Sequence, residues 1–376
     1  MATHNAASCS FADVNDKVAI AVNGDTINVP AGSCTWTSGL VISQAITLKG
    51  AGIAQTFITN NFTAGHLIAV TESTAGNVRI EGFDFITGTG PLNANPDFFI
   101  HVGISANAQP VLITANKFSL AGNSNALGFT TNRGVIWDNT FTAAIGGAGC
   151  SNNASALRHK PVTLVWGTPP TYGMDDTNGD KHLYFENNTT IDVLEVVDFD
   201  DNARTVVRYN SLTNGSLVAH GLDTSASGSR YYEVYNNTFI WDASVKCAPD
   251  LPANIDALIT LRGGTALIHD NVIPNITSQA WGDKAEVRFW DQNLRRNAGP
   301  YFCWGTSTPG GYPSPHQTGW GYSTGATQAG STGVFQDLEP VYLWNNTGAG
   351  NYGSPDIYEY APNECGDGAP TVVDYI

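Results

Sequence analysis

A dense group of charged side chains lies between Asp198 and Glu233, in a chain of which only 13% of the residues are charged. The segment reads D-F-D-D-N-A-R-T-V-V-R-Y-N-S-L-T-N-G-S-L-V-A-H-G-L-D-T-S-A-S-G-S-R-Y-Y-E. Catalysis needs groups of opposite character held close together on rigid elements, and such groups stand out against a neutral background. We therefore expect the functional site here, with a solvated ion-pair network on a sheet face as the plain alternative.

The candidate catalytic residues are one imidazole, two guanidinium groups and two carboxylates: His220, Arg208, Arg204, Asp201 and Asp223. Histidine, with an unperturbed pKa near ~6.5, is the natural base, and arginine can hold a substrate carboxylate through two parallel hydrogen bonds. Each residue also has a structural interpretation. His220 can be a structural histidine at a strand end, Asp223 can cap a turn, and Arg208 can pair with Glu233 on a strand face.

A second set of polar and aromatic residues contains the candidate substrate contacts: Arg230, Glu233, Arg158, His159, Lys160 and Trp304. Arg158–Lys160 falls in a long insert, 146–181, which predicts a loop with a solvated surface. Trp304 belongs to an aromatic-rich segment, 281–336. Its rings suit the C–H faces of sugars, or they cover the open end of the core against edge pairing.

Composition points to many short strands joined by tight turns. Glycine accounts for 40 of 376 residues, whereas Lys and Arg together number only 17. The net charge of −16 argues against nucleic acid, whose phosphates would be repelled, and against an anionic membrane surface. No segment approaches the roughly 18 consecutive apolar residues that a membrane span needs. We expect a monomer, with self-association left open.

Six widely spaced cysteines favour disulfide bonds and an exported protein. No C-x-x-C motif is present, which argues against zinc or thioredoxin-like chemistry. Cys9–Cys34 is the expected pair because both residues flank the first turns of the fold. The N-terminus carries no secretion signal, so the chain is either cytosolic or a mature form with an added start methionine. We favour the second interpretation and expect a secreted or cell-surface protein.

A sequence repeat of the form apolar-x-apolar-x-x-Asn-x-apolar recurs along the chain, as in L-I-T-A-N-K-F, V-I-W-D-N-T-F and E-V-Y-N-N-T-F. Its anchors are Asn116, Asn139, Asn188, Asn210, Asn237 and Asn271. The steps are 23, 49, 22, 27 and 34 residues, and the 49-residue step is interpreted as two repeats. Gly82 takes the asparagine position in an earlier copy. We expect the asparagine to adopt the left-handed conformation at a corner and to bond the asparagine of the next repeat.

A period of 20–30 residues with short strands is typical of a solenoid, whose repeats stack into one continuous core. A β-sandwich would explain the number of strands but not the repeated corner. We expect one domain over residues 1–376. Residues 11–52 form the N-terminal cap and first rungs, 53–275 the regular rungs with the insert 146–181, and 276–376 the aromatic-rich excursion and C-terminal cap. Apolar residues at 11, 14, 18 and 22 predict a helix in the cap.

The opening G-D-T-I-N-V-P-A-G, the following I-T-L-K-G-A-G and the N-N-T-F corners resemble secreted right-handed parallel β-helix proteins of the pectate-lyase-like superfamily. The resemblance covers roughly Phe11–Ile273. It implies an all-β right-handed parallel β-helix with an N-terminal capping helix, three sheets and a polysaccharide groove along one sheet. The same fold carries lyases, hydrolases, epimerases, tailspikes and adhesins, so it does not settle the activity.

Two enzyme patterns follow from the resemblance. Pectate-lyase-type enzymes bind calcium through acidic residues, which implies Asp198, Asp200 and Asp201 as ligands, and they use an arginine or lysine as base. Polygalacturonase-type hydrolases show N-x-D, D-D and H-G on successive rungs, and N-G-D at 178–180, Asp200-Asp201 and His220-Gly221 occur here in that order. The basic pair that follows in those hydrolases is missing.

We therefore expect a secreted enzyme that cleaves an acidic, uronate-containing polysaccharide by calcium-assisted β-elimination. The first alternative is an inverting hydrolase, in which two carboxyls about 6.5–9.5 Å apart act as acid and base. Asp180 with Asp201 or Asp223 is the candidate pair. The second alternative is a non-enzymatic adhesin, tailspike-like protein or filament subunit, in which these charges are ion pairs.

Overall fold

Short strands form where apolar residues alternate with polar ones, because successive side chains of a strand point to opposite faces. Thr26–Val29 buries Ile27 and Val29 in this way. The computed structural model describes residues 1–71, 76–88, 97–103, 109–144, 154–161, 176, 179, 181–220, 228–240, 257–273, 285–291, 318–322, 336–347 and 356–359. In these residues the strands stack in parallel into three long sheets. The chain is a right-handed parallel β-helix, as expected, and the β-sandwich alternative is excluded.

Sheets A and C are the two longest, and their strands are numbered in chain order. Sheet A contains β1 (Thr3–Asn5), β2 (Thr26–Val29), β5 (Thr47–Gly50), β8 (Val78–Glu81), β11 (Val111–Thr114), β14 (Gly134–Trp137), β17 (Leu183–Glu186), β20 (Arg204–Arg208), β23 (Tyr231–Tyr235), β26 (Thr265–His269) and β30 (Tyr342–Trp344). Sheet C contains β4 (Leu40–Ile42), β7 (Ile68–Val70), β10 (Phe98–Val102), β13 (Asn125–Phe129), β16 (Ser155–His159), β19 (Glu195–Phe199), β22 (Ser216–Ala219), β25 (Ala257–Leu261), β27 (Ala285–Asp291) and β31 (Asp356–Glu359).

Sheet B is shorter. It contains β3 (Gly32–Trp36), β6 (Thr56–Asn60), β9 (Asp84–Thr87), β12 (Lys117–Ala121), β15 (Thr140–Ala144), β18 (Thr189–Ile191), β21 (Ser211–Thr213) and β24 (Thr238–Ile240). A separate antiparallel pair joins β28 (Trp320–Tyr322) to β29 (Gln336–Leu338). Each coil runs through sheets A, B and C in turn, and one hydrophobic cluster extends inside the coils from Ala6 to Val341.

The N-terminal end of the helix is covered as predicted. Helix α1 (Phe11–Ile20) begins at Ser10, whose hydroxyl accepts the backbone N–H of Asp13, and it buries Val14 and Val18. It contacts β2, β3 and β4. The predicted disulfide Cys9–Cys34 is present and joins the segment before α1 to β3. The other four cysteines lie outside the described residues. No described helix is long and apolar enough to cross a membrane.

The predicted asparagine ladder forms the corner between sheets A and B, which we call the A–B corner. Each ladder asparagine donates Nδ2–H to the side-chain oxygen of the next, at 2.8–3.3 Å. The ladder runs through Asn116, Asn139, Asn188, Asn210, Asn237, Asn271 and Asn346. Each of the first six also accepts or donates backbone hydrogen bonds while buried.

The left-handed residue of this corner stands one position earlier than predicted. Positive φ angles of 51–58° occur at the residue before each ladder asparagine: Ala115, Asp138, Asn187, Tyr209, Asn236, Asp270 and Asn345. In the earlier copy, Gly82 occupies this left-handed position, and the N–H of Phe83 donates to Asn116 Oδ1 at 3.1 Å. The prediction that the ladder asparagine itself is left-handed is therefore wrong. Its side chain is needed for the ladder, whereas its neighbour turns the chain.

The 49-residue step is one coil with long excursions, not two coils, because β14 pairs directly with β17. Within the predicted insert 146–181, residues 155–159 form strand β16 of sheet C, paired with β13 and β19. The prediction that Arg158 and His159 lie in a loop is therefore wrong. The division of the chain into a single domain with two caps stays a prediction.

Candidate active site on the outer face of sheet C

Charged side chains gather where sheet C ends and the chain turns to sheet A, a region that we call the C–A corner. Arg158 of β16 and Asp198 of β19 are neighbours in register and project from the outer face. One residue beyond the strands, Lys160, Asp200 and His220 continue the hydrogen-bonded ladder through their backbone N–H groups. Two adjacent columns of charged groups result, because outward side chains in successive strands lie about 4.8 Å apart.

His220 and Asp198 form the central pair of this cluster. His220 Nδ1 lies 2.7 Å from Asp198 Oδ1, and the imidazole is 37% exposed while the carboxylate is 3% exposed. The charge of Asp198 outweighs burial and raises the pKa of His220 to about 9. Burial alone would raise the pKa of Asp198, but the charge and hydrogen bond of His220, with Arg158, hold it below its ordinary value. At neutral pH the pair is therefore an imidazolium–carboxylate pair, with Nε2 directed away from Asp198.

Lys160 forms ion pairs with both aspartates of the turn, Asp200 and Asp201. Its Nζ lies 2.9 Å from Asp200 Oδ2 and 3.4 Å from Asp201 Oδ2, and its side chain is 46% exposed. Burial would lower the pKa of Lys160, but the two carboxylates outweigh it and raise the pKa. Asp200 Oδ1 accepts the backbone N–H of Asp201 at 2.8 Å. Lys160 is therefore an exposed cation beside the His220 pair.

Glu195 is a site residue that the sequence reasoning missed. Its Oε2 lies 3.7 Å from Arg158 Nη2, and Arg158 Nε lies 3.2 Å from Asp198 Oδ2, so one guanidinium bridges two carboxylates. The register of β19 shifts between Glu195 and Val197. Such bulges re-aim side chains next to active sites. Burial and the charge of Asp198 raise the pKa of Glu195.

The expected calcium ligands are all paired with basic side chains. Asp198 binds His220 and Arg158, and Asp200 and Asp201 both bind Lys160. In the part of the chain that the structure describes, no group of three or more His, Cys, Asp or Glu residues is arranged to hold a metal ion. Calcium favours several carboxylate oxygens free to converge, so these residues in this arrangement do not fit a calcium site.

His159 is a core residue. Its side chain is fully buried; Nε2 lies 3.0 Å from the carbonyl oxygen of Thr131, and Nδ1 lies 2.7 Å from Thr205 Oγ1. A carbonyl can only accept, so Nε2 carries the proton and Nδ1 accepts from the hydroxyl. Burial lowers the pKa of His159 to about 3. The neutral ring packs inside the coils, which excludes the predicted direct contact with a substrate.

Arg204, Arg230 and Glu233 are all buried on the sheet A side of the corner. Arg230 Nη1 lies 2.6 Å from Glu339 Oε2, and the Arg230 side chain is fully buried. Burial and the charge of Arg230 lower the pKa of Arg204 to about 10. Tyr231 donates its hydroxyl to Glu233 Oε1 at 2.6 Å. The structure does not bring these residues to the exposed His220 pair.

Arg208 also lies on sheet A, apart from the cluster. It projects from β20, forms an ion pair with Glu186 and donates to the hydroxyl of Tyr235 at 2.7 Å. Its guanidinium lies 5.1 Å from the ring centre of Tyr184. The proposed pairing of Arg208 with Glu233 is wrong, since Glu186 is the partner. Asp180, Asp223 and Trp304 lie outside the described residues.

Comparisons with known proteins find no sequence relative and only distant structural similarity. No family model matches the sequence, and no curated protein matches it. Solved structures similar to this chain include an alginate lyase from Paenibacillus sp., with 14% identity, 96% of this chain and 98% of that chain covered, and a TM-score of 0.44. A PL6 family polysaccharide lyase from Pseudopedobacter saltans has 11% identity, with 93% of this chain and 77% of that chain covered, and a TM-score of 0.48. A pectin methylesterase from Erwinia chrysanthemi has 11% identity, with 99% of this chain and 98% of that chain covered, and a TM-score of 0.37.

Proposed function

We propose that this protein is a carbohydrate-active enzyme that cleaves a uronate-containing polysaccharide by β-elimination on the outer face of sheet C. The observation that supports this most strongly is the His220–Asp198 pair, with Arg158 and Lys160 in adjacent outward positions. The chain carries a net charge of −16, yet these cations gather at one place beside a protonated imidazole. Within this cluster of ion pairs, Arg158, Lys160 and the imidazolium are the groups that can bind a substrate carboxylate.

Arg158 and Lys160 are the groups that bind the uronate carboxylate. Neutralising that carboxylate makes the C5 proton easier to remove, because the negative charge that develops next to it is stabilised. A carboxylate bound there competes with Asp200 for Lys160. The Asp200 carboxylate freed in this way is the group that we assign as acceptor of the C5 proton.

His220 is assigned the role of general acid. As the C5–H bond breaks, its electrons form the C4=C5 double bond and the C4–O bond breaks. His220 donates its Nε2 proton to the departing oxygen, and Asp198 stabilises the imidazolium beforehand. This reverses the role expected from an unperturbed pKa, since a histidine with a pKa of about 9 is largely protonated at neutral pH. General acid catalysis of this kind contributes about 10²–10⁴-fold in rate.

An inverting hydrolase is the second candidate, and Glu195 is the observation that favours it. Its raised pKa makes it a candidate acid, with a second carboxylate of the cluster as the base that activates water. The two reactions differ in product, because only elimination creates an unsaturated uronate that absorbs in the ultraviolet. Both form new reducing ends.

The disulfide Cys9–Cys34 supports the proposal that the protein is exported, because disulfides persist in oxidising compartments. A calcium requirement stays a prediction for the assay, although Asp198, Asp200 and Asp201 as arranged do not supply its site, and no step is assigned to the metal. Elimination that continues in a strong chelator would contradict it.

The test is ultraviolet absorbance, with reducing ends measured in parallel, during incubation with pectate, alginate and glucuronan. His220→Gln should lower the rate by about 10²-fold or more. His269→Gln is the matched control, because His269 Nδ1 lies 2.8 Å from Asp270 Oδ2 in a similar pair on sheet A. New reducing ends without absorbance would favour the hydrolase. No product from any substrate would favour the adhesin or filament alternative.

A further inference from the structure

A cleft of about 400 Å³ adjoins the charged cluster on the outer face of sheet C. One side is lined by the charged groups Arg158, Lys160 and Asp200. The other side is formed by Phe98 and His101 of β10. The volume falls within the range of small-ligand pockets. The cleft therefore presents an aromatic wall opposite a cationic wall.

The aromatic wall is uncharged at neutral pH. His66 and His101 stack with ring centres 4.1 Å apart and an angle of 15°, and Phe98 lies 5.5 Å from His66 and 5.7 Å from His101. Burial and the neighbouring His66 lower the pKa of His101 to about 4, and burial lowers the pKa of His66. Phe98 and His101 thus offer the cleft an uncharged aromatic surface, with His66 stacked on His101.

Gly128 forms the floor between the two walls. In the register of sheet C it lies between His101 of the preceding strand and Arg158 of the next. A Cβ atom at this position would lie 2.6 Å from the Phe98 ring. Phe98 therefore covers the backbone of Gly128, and any larger residue there would displace the ring into the cleft.

We propose that this cleft is a binding subsite for one uronate ring of the substrate. A uronate has an apolar C–H face and a carboxylate on the same ring. The first matches Phe98 and His101, and the second matches Arg158 and Lys160 across the cleft. This inference rests on the proposed function and adds the residues that select the ring: an acidic sugar with an accessible C–H face is favoured over a neutral one, because only the acidic sugar also pairs with the cations.

The same placement sets the direction and length of the substrate. Gly128 lies on β13 and His220 follows β22, three strands further along sheet C, or roughly 14 Å at about 4.8 Å per strand. The polysaccharide runs along the helix axis across these coils.

The test is calorimetric titration of full-length His220→Gln, which still binds but does not cleave. The probes are tetramers of galacturonate, mannuronate and guluronate, with cellotetraose as the neutral control and acetate as the carboxylate without a ring. At least one acidic tetramer should bind tenfold or more tightly than both controls. Phe98→Leu and Gly128→Ala should each weaken that binding tenfold or more. Tyr209→Leu, at an exposed aromatic residue of the A–B corner, should leave it unchanged.

Because Phe98→Leu disturbs packing, a second readout uses the intact side chains. In protein labelled with ¹⁵N-histidine, the same tetramer should shift the ring signals of His66 and His101 and leave His269 in place. Equal affinity for cellotetraose, or unshifted His101 signals at saturation, would overturn the subsite. If His220→Gln abolishes cleavage but Phe98→Leu leaves Km unchanged, the subsite is refuted and the proposed function is kept. If the wild type binds an acidic tetramer specifically but cleaves none, the proposed function is refuted and the subsite is kept.

Discussion

The A–B corner and the C–A corner use opposite solutions to the same problem of turning the chain between sheets. From β11 to β24, two residues separate each sheet A strand from the following sheet B strand, and the second is always a ladder asparagine. At the C–A corner, the connections from β13 to β26 range from three to 23 residues. The A–B corner repeats because each ladder asparagine must bond the next one, so the residue at that position cannot vary from coil to coil. The second corner is free of this constraint, and the charged cluster is built there.

Breaking the ladder should have the largest effect, and the effect should be on stability. Asn188 Nδ2 donates to the carbonyl oxygen of Ile136 and to Asn210 Oδ1, while its Oδ1 accepts two hydrogen bonds from Asn139. Asn188→Ala leaves several buried groups unpaired, at about 1–3 kcal/mol each, so we expect a loss of about 3–5 kcal/mol. Urea unfolding measures it.

The control for the ladder is the exposed pair Asn28–Asn5, whose side chains share one hydrogen bond of 3.0 Å. Asn28→Ala should cost less than about 1 kcal/mol, because water replaces an exposed partner. A similar loss in both variants would show that burial of the ladder is not what stabilises the A–B corner.

Removing the charge of Asp198 should have the next largest effect, on catalysis. In Asp198→Asn the pKa of His220 should return from about 9 towards ~6.5, because the main cause of the shift is gone. As an acid, His220 is active while protonated. The rate of the wild type should therefore fall as the pH rises through about 9, and that of the variant as it rises through ~6.5.

At pH 8 this predicts a rate lowered by roughly thirtyfold, measured as ultraviolet absorbance across pH 5–10. Asp270→Asn, in the matching pair on sheet A, should leave the profile unchanged. A rate that rises with pH towards 9 would instead make His220 the base.

His159 and His220 should make the free energy of unfolding depend on pH in opposite directions. The pKa of His159 is lowered to about 3, so the unfolded chain binds the extra proton and stability is lost as the pH falls from ~6.5 towards 3. The pKa of His220 is raised, so its contribution is present below ~6.5 and is lost as the pH rises through about 9.

His159→Gln should therefore flatten the acid side of the stability profile by up to about 1.4 kcal/mol per pH unit, with the alkaline side unchanged. Urea unfolding at pH 4, 5, 6 and 7 measures this slope. An unchanged acid slope would mean that His159 is not held neutral in the folded protein.

The smallest effect is expected at the left-handed position of the A–B corner. Ala115 has φ of 53° where the neighbouring coils carry asparagine or aspartate at most positions. Left-handed backbone is unfavourable for alanine and better tolerated by asparagine. Ala115→Asn should raise the thermal midpoint slightly, through a gain below about 1 kcal/mol. Ala143→Asn, at a buried strand position, should lower it.

The fold could be predicted because the A–B corner repeats a visible pattern. Asn237 and its counterparts fall at the same distance from buried strand residues in every coil, so the repeat shows in the sequence. The left-handed position was misplaced because asparagine suits both it and the ladder, and Asn236 precedes Asn237. The 49-residue step was misread because excursions on either side of β16 hide a single coil.

The site was harder to predict because neighbours in sequence separate in space. Arg204 and Arg208 follow Asp198 by a few residues, but a corner lies between them and places the arginines on sheet A. Arg158 lies 40 residues before Asp198 in sequence and beside it in register. Residues such as Gly128 gave no chemical signal at all. Their roles depend on which strands stack, and local sequence does not carry that information.

The most direct measurement is the initial rate of ultraviolet-absorbing product, per folded molecule, for wild type, Asn188→Ala and His220→Gln on a uronate tetramer, with circular dichroism giving the folded fraction. We expect the A–B corner variant to lose mainly stability and the C–A corner variant to lose mainly rate. Asn188→Ala should unfold at a lower temperature yet keep the wild-type rate per folded molecule. His220→Gln should lose about 10²-fold or more in rate per folded molecule at pH 6, and it also loses the stability that the protonated imidazole contributes there. A His220→Gln protein that eliminates at the wild-type rate would contradict the assignment of the chemistry to the C–A corner.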